Sequence, residues 1–140
     1  VINVVIHQNW RTVFNALVMC IFANVPPEVV TELVNDSAGT NVSMIGLMKI
    51  GERGWNLKRV INNKMGLTQA NDKLPKGILE PFEDDPSGYV PDFQSMMEAY
   101  YNTRKWDPLT GFPDEEKLAE LNLDWVEEDL KLLRSRLLIS

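Results

Sequence analysis

The run SMIGLMKIGERGWNLKRVINNKMG, residues 43 to 66, decides the fold class. Ser43 is a residue whose side-chain oxygen can accept from the free N–H groups of a first helical turn. Gly66 suits the left-handed conformation in which helices commonly stop. Between them Leu47, Ile50, Gly54, Leu57, Ile61 and Met65 recur at the spacing of one helical face. The pattern predicts one helix from 43 to about 65.

Outward from that helix the same period dominates, and alternation of period two is scarce beyond the first few residues. Residues 2 to 24 read as one long helix with Ile6, Trp10, Val13, Phe14, Leu17, Cys20 and Ile21 on a broad face, broken by Pro26-Pro27. Pro27 suits the first turn of a second helix, 27 to 36, closed by Asp36, Ser37 and Gly39. From Thr68 to Val90 the prolines at 75, 81 and 86 forbid a long helix. An extended excursion with one short turn near Gln69 to Asp72 is expected there. A helix from 92 to 105 follows, with Phe93, Met96, Met97 and Tyr100 inward. Asp114 caps a short helix to about Leu121, and a last helix, 124 to 138, carries Val126, Leu130, Leu133 and Leu137 behind an acidic first turn. The whole reads as all-α, a multihelical bundle-like fold in a single domain over residues 1–140.

With 140 residues and 44% hydrophobic content the chain can bury a sizeable core. Its formal charge of -6 opposes nucleic-acid phosphates and anionic lipid, so neither nucleic acid nor membrane is an expected partner. The nearly apolar stretch Val13 to Val25 is interrupted by Asn15 and Asn24 and falls short of the roughly 20 residues a bilayer span requires. Cys20 is the only cysteine, which excludes an internal disulfide, and a cytoplasmic setting is the default expectation.

Few residues suggest chemistry by themselves. Cys20, on the apolar side of a helix, reads as a small buried hydrophobe. His7 is the only histidine and has no second ligand nearby in sequence. Glu52, Arg53 and Arg59 could grip an anion; the simpler reading is a solvated helix face or a salt-bridge network tying the 43–65 helix to the loop at 68 to 90. Tyr100, Tyr101, Trp106 and Arg104 could wall a ligand, yet Tyr and Trp at a helix end usually anchor packing. Asp84-Asp85 and Glu127-Glu128-Asp129 read as exposed charge.

One ordered set of residues goes further. Gly51-Glu52-Arg53, Asn56-Leu57, Arg59, Asn62, Gly66, Asp72, Leu74-Pro75, Tyr100-Tyr101, Arg104, Trp106-Asp107, Gly111, Pro113, Lys117-Leu118, Leu121 and Leu123 occur in that order over most of the chain. The pattern resembles the C-terminal region, domains 2 and 3, of the tungsten-containing aldehyde ferredoxin oxidoreductases. In that family an Asp-x-x-Gly-Leu-Cys motif supplies a thiolate to a 4Fe-4S cluster and an Asp contact to a tungsten pterin. The motif falls on Asn15, Ala16, Leu17, Val18, Met19 and Cys20. The resemblance thus implies Cys20 as a 4Fe-4S ligand, with Asn15 and Met19 binding cofactor. Asn15 replaces the Asp and loses the charge that strengthens its hydrogen bond, and Val18 and Met19 replace Gly and Leu.

The resemblance implies an oxidoreductase that oxidises aldehydes to carboxylic acids, using a 4Fe-4S cluster and a tungsten or molybdenum bis-pterin (molybdopterin-type) cofactor. Ferredoxin would be the electron acceptor and the upstream domains of the same enzyme the main partner; it also leaves room for a homodimer. The opening at Val1, without Met, suggests a C-terminal fragment, which by itself is expected to hold no cluster and to oxidise no aldehyde, since one thiolate cannot replace four. Two alternatives stay open: a relative acting on another substrate, such as an aromatic acyl thioester, and a non-catalytic helical interaction module.

Overall fold

The computed structural model describes residues 1–137, with side chains described through Ser135. Six α-helices follow one another: α1 Ile2–Ala16, α2 Pro27–Ala38, α3 Met44–Lys64, α4 Phe93–Arg104, α5 Glu115–Glu120 and α6 Glu127–Leu137. Among the described residues no strand forms, and the all-α reading holds. Single 3-10 turns at Gln69–Asn71, Lys76–Ile78 and Asp124–Val126 punctuate the connections.

Helix α3 is the axis of the molecule. Its start is capped as its sequence predicts, with the Ser43 hydroxyl accepting from the Gly46 N–H at 3.1 Å, and Asp92 and Asp114 cap α4 and α5 in the same way. The tightest packing is α1 across α3, where glycines let the two backbones meet. A Cβ on Gly51 would stand 2.2 Å from the Asn9 carbonyl oxygen, and one on Gly54 would stand 2.7 Å from the Thr12 methyl.

Two apolar clusters flank this crossing. Val13 and Phe14 of α1, Val30 of α2 and Leu47 of α3 form a small one. Val60, Phe112, Leu118, Leu121, Leu123, Val126 and Leu130 form a larger one where α5 and α6 close on the far end of α3.

Three features depart from the sequence pattern. First, the predicted helix over 2 to 24 stops at Ala16, so Leu17, Cys20 and Ile21 lie outside it and Ile6, Leu17 and Ile21 are exposed. Second, α3 buries only part of its apolar stripe, with Leu47 buried and Leu57 packed half-buried on the larger cluster. Ile50, Ile61 and Met65 face outward, and the buried positions are Leu47, Gly51, Asn56, Arg59, Val60 and Asn63. Asn56, Arg59 and Asn63 each have an internal partner, which offsets most of the cost of burying them, although Arg59 Nη2 and Asn63 Oδ1 are left unpaired. Third, α4 buries Tyr101 and Arg104, while Met96 is exposed and Phe93, Met97 and Tyr100 are half-buried. The expected inward position of Val126, Leu130 and Leu133 holds, and the side chain of Leu137 lies outside the described residues. No helix among the described residues is long and apolar enough to cross a membrane.

Candidate functional site

The segment Asn15–Cys20 is built by the way α1 ends. Val18 adopts φ +55, in the left-handed region. With the chain so turned, the Val18 N–H donates to the Asn15 carbonyl at 3.3 Å and the Met19 N–H donates to the Phe14 carbonyl at 3.0 Å. This pair of bonds satisfies carbonyls that a helix end would leave free. Met19, just past the turn, packs its side chain onto the Val13, Phe14, Val30 and Leu47 cluster.

These contacts orient the loop. Asn15 is exposed on the last turn of α1, Val18 is 90% exposed, Cys20 is exposed with a free thiol, and Phe22 is 91% exposed. The expectation that Cys20 lies on the apolar side of a helix is therefore corrected. Left-handed backbone at Val18 ends the helix two residues earlier and leaves the sulfur in solvent. Of the three residues assigned to cofactor and cluster, Asn15 and Cys20 stand free at one helix end and Met19 turns its side chain inward. Their donor chemistry fits one thiolate of a cluster, since the chain carries a single cysteine and a cubane cluster takes four. Among the described residues no group of three or more His, Cys, Asp or Glu could hold a metal ion. His7 is exposed.

The ordered motif residues lie elsewhere, and they bind one another. Arg59 donates from Nε to the Gly111 carbonyl at 2.7 Å and from Nη1 to Asp72 at 2.9 Å, and its guanidinium stacks over Trp106 at 4.7 Å. Gly111 permits this approach, because a Cβ there would fall 1.9 Å from Arg59 Nη2, and its φ of +72 also favours glycine. Trp106 donates from Nε1 to Asn56 at 2.7 Å. Tyr101 donates its hydroxyl to Asp72; burial, then that bond, push its pKa well above the ordinary tyrosine value. Lys117 bridges Glu120 at 2.7 Å and Glu52 at 3.2 Å. Burial alone would lower its pKa, but the two carboxylates outweigh it and the net shift is upward. Among the described residues the expected tie from α3 to the loop at 68 to 90 is thus made by Arg59 alone, while Glu52 pairs with Lys117 of α5 and Arg53 adds a 3.3 Å bond to the Asn122 carbonyl.

A second polar centre escaped the sequence. Arg104, fully buried, donates to Asn9 Oδ1 at 2.7 Å and Gln8 Oε1 at 2.8 Å. The partners are more than ninety residues apart in the chain, and no local period could pair them. Beside this centre a cavity of about 550 Å³ opens between α1, α3, α4 and the segment Asp72–Leu74, with Trp55, Phe93, Met97 and Tyr100 in its wall. The only sequence signal for it was the pair of aromatics at 100 and 106.

The family model described as "Aldehyde ferredoxin oxidoreductase, domains 2 & 3" matches residues 2–123. The chain is 36% identical over 126 residues to the tungsten-containing aldehyde ferredoxin oxidoreductase of Pyrococcus horikoshii, covering 86% of this chain and 21% of that protein. It is 34% identical over 126 residues to the protein of that name from Pyrococcus abyssi, with the same coverage, and 32% over 124 residues to that from Thermococcus kodakarensis, covering 85% and 20%. The chain thus spans about a fifth of the length of these curated relatives.

Proposed function

Since the chain belongs to the aldehyde ferredoxin oxidoreductase family, we propose that it forms the C-terminal part of a tungsten-pterin, iron-sulfur oxidoreductase that oxidises aldehydes to carboxylic acids and passes the electrons to ferredoxin. The observation that carries this reading is the exposed thiol of Cys20 on a left-handed turn at the position of the family's cluster ligand. When bound, tungsten pterin and cluster supply the redox chemistry.

The residues of this chain position and complete. Cys20 presents its sulfur clear of the helical core, so a cluster held by three thiolates elsewhere in the enzyme can take it as the fourth without unfolding anything here. Asn15, on the same turn, offers a neutral amide to a pterin. That hydrogen bond is weaker than a carboxylate's. Met19 contributes through its backbone, because its side chain is committed to the core. The motif residues from Glu52 to Lys117 hold α3, α4 and α5 together and act as scaffold.

The test is Cys20→Ser in the complete tungsten enzyme this reading implies. Iron per chain and ferredoxin reduction should fall while the helical circular dichroism is kept, because a hydroxyl is a poor substitute for a thiolate. Unchanged iron, an unchanged cluster paramagnetic signal and normal ferredoxin reduction would reject the ligand role.

A further inference from the structure

The cavity beside Arg104 has a composition that specifies a ligand. Trp55, Leu74, Phe93, Met96 and Met97 give it an apolar body, and its volume of about 550 Å³ lies in the range of small-molecule sites. The charged side chains in its wall are Lys58, Arg59 and Lys73 against the single carboxylate of Asp72. Arg59 and Asp72 neutralise each other at 2.8 Å. Among the described residues neither Lys58 nor Lys73 pairs with a carboxylate, and Lys58 holds its ammonium 6.0 Å above the Trp55 ring. A cationic surplus thus stands at one apolar cavity of a chain whose net charge is -6.

The hydrogen-bonding groups lean the same way. The Tyr100 hydroxyl accepts from Trp55 Nε1 at 3.0 Å and donates to Gln8 Oε1 at 2.7 Å. Arg104 donates to the same Gln8 oxygen. Two donors on one oxygen fix the amide's orientation and leave the Gln8 NH₂ without a protein acceptor among the described side-chain bonds. Each oxygen of Asp72 already accepts, from Arg59 on one side and Tyr101 on the other. Among the free polar groups of the wall, Lys58, Lys73 and the Gln8 NH₂ are donors or cations and the Asn62 amide can serve either way, while most of the remaining wall is hydrocarbon and ring faces.

We propose that this cavity binds a small carboxylate with an apolar, preferably aromatic, body. Its rings and thioethers would enclose the body while Lys58, Lys73 and the Gln8 amide take the carboxylate. This inference is independent of the cluster and pterin, and its test needs neither.

The probe is 4-phenylbutyrate, with 4-phenylbutan-1-ol as the neutral counterpart of similar size, titrated into the 140-residue chain. Binding is read by calorimetry and by fluorescence of Trp55 and Trp106. The acid should bind saturably, and the alcohol about tenfold more weakly, as expected for loss of a charge-assisted bond. Salt should weaken the acid alone. The double variant Lys58→Ala, Lys73→Ala changes two exposed side chains, so it keeps the fold, and it should bring the acid down to the alcohol's affinity. Equal binding of acid and alcohol would mark a plain apolar groove of the kind a polypeptide segment covers, and would overturn the proposal. So would the absence of saturable binding, or a preference for the acid that survives the double variant.

Discussion

At the end of α3 the left-handed residue is Gly66, φ +90, and the loop beyond it is pinned back to the helix by Arg59 and Asp72. At the end of α1 the left-handed residue is Val18, φ +55, and beyond it Cys20 and Phe22 stand in solvent. The hydrogen bonds are alike in both places, since the Leu67 N–H reaches the Asn62 carbonyl at 3.0 Å as the Met19 N–H reaches Phe14. One backbone device therefore serves two purposes. Glycine makes it without steric cost, whereas a β-branched residue is a genuine outlier there and costs on the order of 1 to 2 kcal/mol. Val18 is 90% exposed, so packing of its own side chain does not offset that strain. Strain of this kind collects at functional positions, and here it sits two residues from the thiol assigned to the cluster.

The contrast would break first at Arg59. If the loop after α3 is held by this side chain, Arg59→Ala leaves the Gly111 carbonyl without its partner, leaves Asp72 with only the Tyr101 hydroxyl and removes the cation over Trp106. A loss of about 1.5 to 3 kcal/mol is expected for removing the charged hydrogen bonds of a buried guanidinium whose carboxylate partner is half-buried, read as a lower urea midpoint at unchanged slope. A loss under about 0.5 kcal/mol, the range of ordinary surface changes, would show that the scaffold end is no better secured than the loop end.

Exchanging the residues at the two left-handed positions sharpens the comparison. Gly66→Val should cost about 1 to 2 kcal/mol, the steric penalty of the left-handed region. Val18→Gly removes that penalty but loosens the unfolded chain by about 0.4 to 1 kcal/mol, for a net gain of up to about 1.6 kcal/mol. Urea midpoints should move in opposite directions. If Val18→Gly destabilises instead, Val18 makes contacts that its exposure does not reveal, and the idea of a strained turn fails.

The same contrast governs how much could be read from the residues alone. Ser43 and Asp114 announced their helices because capping is chemistry within one turn. Pro27 announced the start of α2 and Gly66 the end of α3 for equally local reasons. Val18 gave no such notice, since a valine argues for continuing an extended or helical run, and only tertiary packing of Met19 onto the small cluster makes the turn worthwhile. The period of α3 likewise pointed to Ile50 and Ile61, whereas the buried face carries Asn56 and Arg59, whose partners Trp106 and Gly111 lie fifty residues on. The ordered motif was legible as a family pattern for that reason: its members specify each other across the fold. The cavity was not, because its wall is drawn from four separate segments.

The smallest expected effect separates the two readings of Cys20 most cleanly. A cysteine buried in a helix-packed core would lose about 1 to 2 kcal/mol on replacement by alanine, because a void remains where the sulfur was. An exposed cysteine beyond the helix end has no void to leave, and Cys20→Ala in the 140-residue chain should change stability by less than about 0.5 kcal/mol, as surface substitutions do. The thiol should also react with an aromatic disulfide reagent under native conditions nearly as fast as after unfolding in urea, since access limits a thiolate only where burial does. The two measurements have to agree. Neutral stability with a slow native reaction would mean that the 17–22 segment folds over the sulfur in solution. A costly alanine with a slow reaction would restore the core reading and remove Cys20 from the cluster.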